Sequence, residues 1–548
     1  MVLPSGLDTY ENRWKALVFI SLGLGIVIID NTILNVSIPY MLRDLHTDLS
    51  SLELVISGYS LTIASALITV GRAGDLFGRR QIFRVGVAVF VVGSFIGSFS
   101  QHVNLLLFGR SLIQALGAAM TLSSALALID STFKGKERAV AFGVWGAIAG
   151  AAVTLGPLMG GYLTSYYSWR WSLRINVFVG ILALAGTFYM MESRGLKEKK
   201  FDWPGTFLSS AGFFSLMYGV IEGNTYGWLS PKQQFSIFGY GWPLKNISII
   251  PFFLVASLVL LVLFVLRERS LEKQDRAPLL EISIFRERGF SIGLIVLALL
   301  SFGLFGTFFM MPIFLENVLS LNALYSGIYF LPASLSLLSF GLASGFIAER
   351  VNIKWPIMFG TVILSIGVYF MTNVITVDAT FFSLAPALIV FGTGFGLSSS
   401  QLNNLVLSSA PLNVAGEASA ISTTMRQVGG SIGVAFLGVI LASSLITNVT
   451  ANVESDPLLP QQVKTEIIQA VKQSGIEAGR INIAYQDLPP NIADALRSDI
   501  NDAIAKSTRQ GLSYGLIFTI AAAIVSLFLY NYEIDIEKMG KHENVAAS

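Results

Sequence analysis

Cysteine is absent from the 548-residue chain, and histidine occurs only three times. The lack of cysteine excludes disulfides, thiolate metal sites and cysteine nucleophiles. His46, His102 and His542 lie too far apart in the sequence to suggest a paired metal site. No segment matches the phosphate-binding pattern Gly-x-x-x-x-Gly-Lys-Ser/Thr. We therefore expect neither ATP hydrolysis nor another enzymatic reaction, and no cofactor.

Charge is also scarce, since only 13% of the residues are charged while 53% are hydrophobic. A soluble domain carries about 25% charged residues. The net charge of +2 excludes a broad electrostatic surface for nucleic acid. The mean hydropathy of +0.67 indicates a chain whose outer faces lie in lipid.

Long apolar runs occur along the whole chain. A helix needs about 20 apolar residues to cross the hydrocarbon core of a bilayer. Fourteen runs qualify, which predicts an all-α membrane protein. They are 14–38, 53–72, 82–100, 104–129, 138–164, 173–191, 205–222, 247–267, 290–313, 324–348, 355–374, 379–402, 420–446 and 510–531.

Lysine and arginine are concentrated in alternate loops, which indicates the orientation of the chain. One set of loops contains Arg79, Arg80 and many other basic residues, whereas the opposite short loops contain few, such as Arg43 and Arg170. The first set is predicted to be cytoplasmic. Both termini would then lie in the cytoplasm, with the protein in the cell membrane.

Two segments share a pattern in which a glycine precedes an acid by four residues and basic residues close the loop. They are Gly71, Asp75, Gly78, Arg79 and Arg80 after the second span, and Gly345, Glu349 and Arg350 after the tenth. If spans seven and eight are an insertion, both segments follow the second helix of a six-helix half. The repeat predicts a 6+2+6 plan with two pseudo-symmetric bundles around a central cavity.

We expect four regions on this plan. Residues 1–192 form the first bundle, 193–285 a linker with two extra spans, 286–531 the second bundle, and 532–548 a cytoplasmic tail. The second bundle includes a polar loop at 447–509, with short helices predicted at 461–474 and 491–507. This segment is either a loosely ordered extracellular loop or a small cap.

The segment 71–80 resembles the helix 2–3 signature of the major facilitator superfamily. In that family the cluster forms a gating latch, so the resemblance implies gating roles for the residues of both repeats. Leu76 stands where the family usually has arginine, which puts one latch contact in doubt. The alternative is a simple basic turn on the cytoplasmic side.

Asp30 lies inside the first span, within Asp30-Asn-Thr-Ile-Leu-Asn35-Val-Ser-Ile-Pro39. This segment resembles the motif of the fourteen-spanner drug:proton antiporter branch. A carboxylate inside a span costs about 2.5–3.5 kcal/mol, so it normally faces a cavity and has a function. We predict that Asp30 is a proton-coupling or cation-sensing carboxylate. The alternative is a helix-packing acid that is permanently paired with Asn or Arg.

Arg110 begins Arg110-Ser-Leu-Ile-Gln114-Ala-Leu-Gly117 in the fourth span. This stretch resembles the family motif whose arginine is linked to proton transfer. Arginine stays charged at any relevant pH, so it is a fixed counter-charge for an acid. The alternative is a structural arginine that extends toward the interface.

The fifth span contains a glycine-rich stretch that resembles the family's antiporter motif, which is associated with exporters. Its residues are Gly146, Gly150, Gly156, Pro157, Gly160 and Gly161. We expect Gly146, Gly150, Gly156 and Gly160 to form one side of the helix without side chains, which allows tight helix packing. The proline bends the helix. The alternative is an ordinary tight helix interface.

Several further side chains are candidates for the substrate cavity because they are polar, acidic, aromatic or Met residues within or at the ends of spans. They are Asn35, Gln114, Glu222, Phe305, Phe309, Met310, Glu316 and Arg426. For the two glutamates an interfacial position is the alternative, and for the aromatic and Met residues it is packing.

The resemblance implies a proton-coupled antiporter that exports amphipathic or cationic compounds by alternating access. Its partners would be this small-molecule substrate, protons and membrane lipids, without nucleic acid, and we expect a monomer. Two alternatives stay open. The cargo could be a lipid or a native metabolite, or the chain could be a non-transporting membrane sensor or scaffold.

Overall fold

The computed structural model describes residues 12–529 except 35–36, 38–39, 42–43, 48, 194–200, 238–239, 245, 275, 277, 349, 412–413 and 475–488. Within these residues the chain is almost entirely helical. The helices are α1 Arg13–Ile33, α2 Leu49–Phe77, α3 Arg79–Ser98, α4 Val103–Thr132, α5 Gly135–Tyr166, α6 Trp169–Gly186, α7 Trp203–Tyr226, α8 Ile250–Lys273, α9 Arg288–Asn317, α10 Ala323–Ala348, α11 Lys354–Val374, α12 Phe381–Ser408, α13 Ala415–Ser455, α14 Gln461–Ser474 and α15 Pro490–Leu527.

All of these helices except α14 correspond one to one with the predicted spans. Eleven of the described helices are long and apolar enough to cross a membrane. The other three, α2, α5 and α7, are rich in glycine, serine and threonine and pack among the eleven. Short 3₁₀ turns at Thr187–Tyr189 and Ile282–Arg286 and a two-stranded hairpin, β1 Ser236–Ile237 with β2 Tyr240–Gly241, lie in the connections.

The helices form two bundles, α1–α6 and α9–α13 with α15. The bundles meet through α2 against α13 and through α5 against α10 and α12. The extra helices α7 and α8 pack on each other, and α7 also contacts α2 and α13. We name the two ends of the molecule by a residue at each: the Arg79 end, where α1, α3 and α5 begin, and the Trp169 end, where they finish.

The prediction for residues 447–509 is partly wrong. A helix covers Gln461–Ser474 as expected, but the segment 491–507 is no separate helix, since it is the first half of α15. The apolar positions Leu496, Ile500 and Ala503 are buried and continue the helical period into the span without a break. The preceding span also extends beyond its predicted end, through Ser455.

The described part of this segment is a packed cap at the Trp169 end. Asn452 on α13 donates to the carbonyl oxygen of Asp499 on α15 at 2.9 Å. Ile467 of α14 and Leu496 are buried in the core of the second bundle. Arg497 donates to Ser320, which lies between α9 and α10, at 3.2 Å. The cap therefore belongs to the second bundle.

Candidate functional site

Asp30 is fully buried on α1, near the Trp169 end. Its Oδ2 accepts a hydrogen bond from Arg110 Nη1 at 2.7 Å, and its carbonyl oxygen accepts one from Nη2 at 3.0 Å. Its Oδ1 accepts from Asn176 Nδ2 on α6 at 2.5 Å. The carboxylate is therefore satisfied by one cation and one amide. This pairing agrees with the packing interpretation of Asp30 as well as with a coupling role.

The backbone of α4 is irregular where it carries Arg110. Residues Leu107–Gln114 form a π-helical segment, which is rare and frequently occurs at functional sites. Arg110 is buried within it, with its guanidinium carbon 4.6 Å from the ring centroid of Tyr59 on α2. Asp30, Arg110, Asn176 and Tyr59 thus form one cluster in the first bundle, which we call the Asp30 cluster.

A central cavity of about 100 Å³ lies beside the Asp30 cluster. Its walls come from α1, α2, α4 and α5 of the first bundle and from α9, α10, α12 and α13 of the second. Tyr59 belongs to both the cluster and the cavity wall, whereas Asp30 and Arg110 do not line the cavity. Sites for drug-sized ligands measure about 300–1,000 Å³, so the structure shows a narrow state that has to widen to admit such a molecule.

Two of the predicted cavity residues, Phe305 and Arg426, lie on the cavity wall. Asn35 lies outside the described residues. The other five predicted residues do not line this cavity: Gln114, Glu222, Phe309, Met310 and Glu316.

These five residues lie elsewhere in the fold. Gln114 is buried where α4 approaches Gly93 of α3. Met310 is fully buried and packs against Gly511 of α15. Phe309 shares a helical face with Phe305 but lies one turn further along α9, where it packs against the second bundle's core. Glu222 belongs to the extra helix α7, and Glu316 is exposed at the end of α9.

The predicted gating segment joins the two bundles at the Arg79 end. Asp75 accepts hydrogen bonds from the backbone N–H groups of Gly416 and Glu417, both at 3.2 Å, which caps the N-terminus of α13. Arg79 donates to Asp75 through Nε at 3.0 Å and Nη2 at 2.9 Å. Arg72 pairs with Glu417, and all four charged side chains are buried. We call Arg72, Asp75, Arg79 and Glu417 the latch.

Two members of the latch, Arg72 and Glu417, were not predicted from the sequence. The sequence held a signal for each of them. Arg72 lies three residues before Asp75 on the same helix, and Glu417 is an acid in the first turn of α13. Glu417 also accepts a hydrogen bond from the backbone N–H of Glu281 at 2.9 Å, which attaches the α8–α9 connection to the latch.

The glycines of the gating segment allow close backbone approach. A Cβ on Gly71 would lie 2.9 Å from the carbonyl oxygen of Gly416. Gly78 has a φ of +110°, a value that favours glycine, and Glu192 accepts a hydrogen bond from the N–H of Arg80 at 3.1 Å directly beside it. These features form the sharp turn between α2 and α3.

The second repeat contacts the first bundle differently. A Cβ on Gly345 of α10 would lie 2.8 Å from the Cα of Val140 on α5, so the helices touch at this glycine. Arg350 is exposed, and Glu349 lies outside the described residues.

The glycines of α5 do not form one bare side, so that prediction is wrong. Gly146 faces Ser400 on α12 and Gly150 faces Leu337 on α10, whereas Gly156 and Gly160 face α1 at Thr32 and Ile33. The six-residue step from Gly150 to Gly156 rotates the helix by about 240°, which places the two pairs on different faces. Gly161 approaches Leu324 of α10 at ordinary contact distance, with 3.5 Å from its Cβ position to the backbone nitrogen. Pro157 lies in the same helix.

Two helical bundles with a closed latch at one end and a cavity between them define a polytopic membrane transporter. The profile of the Major Facilitator Superfamily matches residues 20–434, and the chain belongs to that family. It is 29% identical over 530 residues to the tetracenomycin C resistance and export protein of Streptomyces glaucescens, covering 95% of this chain and 92% of that protein.

A second relative and one solved structure are also similar to this chain. The puromycin resistance protein pur8 of Streptomyces alboniger is 32% identical over 433 residues, which cover 78% of this chain and 82% of that protein. The crystal structure of the human organic anion transporter MFSD10 superposes with a TM-score of 0.55 at 11% identity, covering 92% of this chain and 99% of that one. The latter likeness concerns the fold alone.

Proposed function

We propose that this chain exports amphipathic, antibiotic-like compounds in exchange for protons, with Asp30 as the proton-binding group. The proposal is supported by two relatives of this chain, of which one is a tetracenomycin C resistance and export protein and the other a puromycin resistance protein. The observation that carries the coupling step is Tyr59, which touches Arg110 and also lines the cavity.

The steps of exchange follow from the contacts of Asp30. When Asp30 is ionised, Arg110 is held against it; when Asp30 binds a proton, the attraction to Arg110 falls and the guanidinium is freed to move with Tyr59. A ligand in the cavity displaces Tyr59 and acts on the same pair. Opening at the Arg79 end requires the latch to break.

We place the protein in the cell membrane as a monomer, with the Arg79 end and both termini in the cytoplasm. The excess of arginine and lysine in the loops at that end supports this orientation.

Inside-out vesicles from cells that express the chain test the proposal. On imposing a pH gradient, acid inside, we expect uptake of a neutral amphipathic dye that collapses when nigericin removes the gradient. Vesicles with equal expression but no uptake above empty-vector vesicles would contradict export. Uptake that survives nigericin would contradict proton coupling.

A further inference from the structure

The central cavity has one charged side chain on its described wall, and it is a cation. Arg426 on α13 lies among apolar and aromatic residues, including Phe305, Phe308 and Phe395. The uncharged polar residues of the wall, such as Thr423 and Gln427, add hydrogen-bonding groups without charge. Asp30 does not line this wall, and its carboxylate is paired with Arg110.

Arg426 is held in place but is not neutralised. Its Nη2 donates to Asn403 Oδ1 on α12 at 2.7 Å, and Asn403 Nδ2 donates in turn to the carbonyl oxygen of Ser399 at 2.7 Å. Within the described part of the chain no carboxylate pairs with Arg426. A guanidinium has five N–H donors, so most of its donor capacity is left for a ligand.

The guanidinium also connects the two bundles. Its carbon lies 5.0 Å from the ring centroid of Trp145 on α5, whereas Arg426 itself belongs to the second bundle. A separation of the bundles that widens the cavity would break this cation–π contact. It would also expose one face of the guanidinium and the indole ring to a planar molecule.

We propose that Arg426 selects the cargo by charge: the cavity takes planar aromatic compounds that carry an anionic or strongly hydrogen-bond-accepting oxygen group. An oxyanion would accept a two-pronged hydrogen bond from the guanidinium while its rings stack among the aromatic residues. A cationic compound would meet an uncompensated positive charge in an apolar cavity. This inference rests on the proposed export function, and it replaces the expectation of cationic cargo.

Three probes with one ring system test the proposal: anthraquinone-2-sulfonate, 2-(hydroxymethyl)anthraquinone and its trimethylammonium-methyl analogue, which are anionic, neutral and cationic. Initial uptake is measured in energised inside-out vesicles and corrected for uptake by empty-vector vesicles. For the unmodified chain we expect the sulfonate to exceed the cation at least tenfold, with the neutral probe between them.

Arg426→Gln should lower sulfonate uptake about tenfold or more, leave the neutral probe within about threefold and raise the cation. Arg426→Lys should keep part of the sulfonate preference, because it retains the charge but loses the planar fork. Arg276→Gln removes an exposed positive charge between α8 and α9 and is the matched control, with all three rates unchanged.

The outcomes separate this inference from the function on which it rests. If the unmodified chain takes up none of the three probes, including the neutral one, both the export function and the inference fail. If the neutral probe is exported but the cation equals or exceeds the sulfonate, or if Arg426→Gln leaves the sulfonate preference intact, only the inference is overturned. If Arg426→Gln takes up none of the probes, the inference is judged on the unmodified chain and Arg426→Lys. It is overturned if either of these takes up the cation at least as fast as the sulfonate.

Discussion

Arg110 and Tyr59 are in contact, with the guanidinium carbon 4.6 Å from the ring centroid, and only Tyr59 also lines the central cavity. This contact connects the ion pair around Asp30 to the wall of the cavity. If the proposed mechanism holds, a change of charge on Asp30 and a change of ligand in the cavity act on the same two side chains.

The latch should control opening at the Arg79 end. Arg72→Gln leaves Glu417 buried without its cation, and breaking a buried pair in this way costs about 3–5 kcal/mol in the closed state. Because the natural chain has no cysteine, a single Ser123→Cys at the α4–α13 contact reports opening by its rate of maleimide labelling. We expect Arg72→Gln to raise that rate about tenfold or more.

Arg13→Gln is the matched control for the latch. Arg13 pairs with Glu137 at 2.7 Å at the same end, but both residues belong to the first bundle. Its removal should leave the labelling rate of the cysteine unchanged. Equal acceleration by both substitutions would mean that the pair between the bundles has no special role in closure.

Two adjacent glycines of α5 should respond differently to the same change. A Cβ on Gly160 would overlap the backbone of α1 at Ile33, whereas one on Gly161 meets Leu324 at no closer than 3.5 Å. Overpacking costs about 1–3 kcal/mol, so Gly160→Ala should lower the melting temperature and the export rate. Gly161→Ala should change neither. Similar melting curves for the two variants would contradict the assigned α1–α5 contact.

The cap at the Trp169 end should contribute to stability. Leu496, on α15 in the cap, is fully buried. Replacing leucine by alanine at such a site lowers the free energy of unfolding by about 2–5 kcal/mol. Leu458→Ala is the control, because that leucine is 61% exposed and its truncation should cost less than about 0.5 kcal/mol. Thermal unfolding followed by circular dichroism should separate the two variants. Unfolding of Leu496→Ala at the same temperature as the control would show that the cap is not packed.

The helix plan was largely readable from the sequence, because lipid imposes a minimum apolar length on each span. The end of α13 and the start of α15 were not, because these helices continue past their apolar runs. In α15 the continuation includes the buried residues Leu496 and Ile500. Apolar length alone cannot detect a helix that continues past its apolar run.

The site was predictable only in part. Asp30, Arg110, Asp75 and Arg79 stood out as charged residues in spans or motifs, and the structure places them in two buried clusters. Neighbouring positions of one helix differ by about 100° in direction, so composition did not tell that Phe305 faces this cavity while Met310 does not. The contacts of Tyr59 and Glu417 depend on how distant helices pack.

The most direct measurement is pH-gradient-driven accumulation of the neutral anthraquinone probe by purified protein in proteoliposomes. Asp30→Asn is paired with the double variant Asp30→Asn/Arg110→Gln, which avoids leaving Arg110 buried without a partner. We predict that both variants lose uphill accumulation while the double variant keeps a measurable downhill flux. Uphill accumulation by the folded double variant at the rate of the unmodified protein would contradict Asp30 as the proton-coupling group.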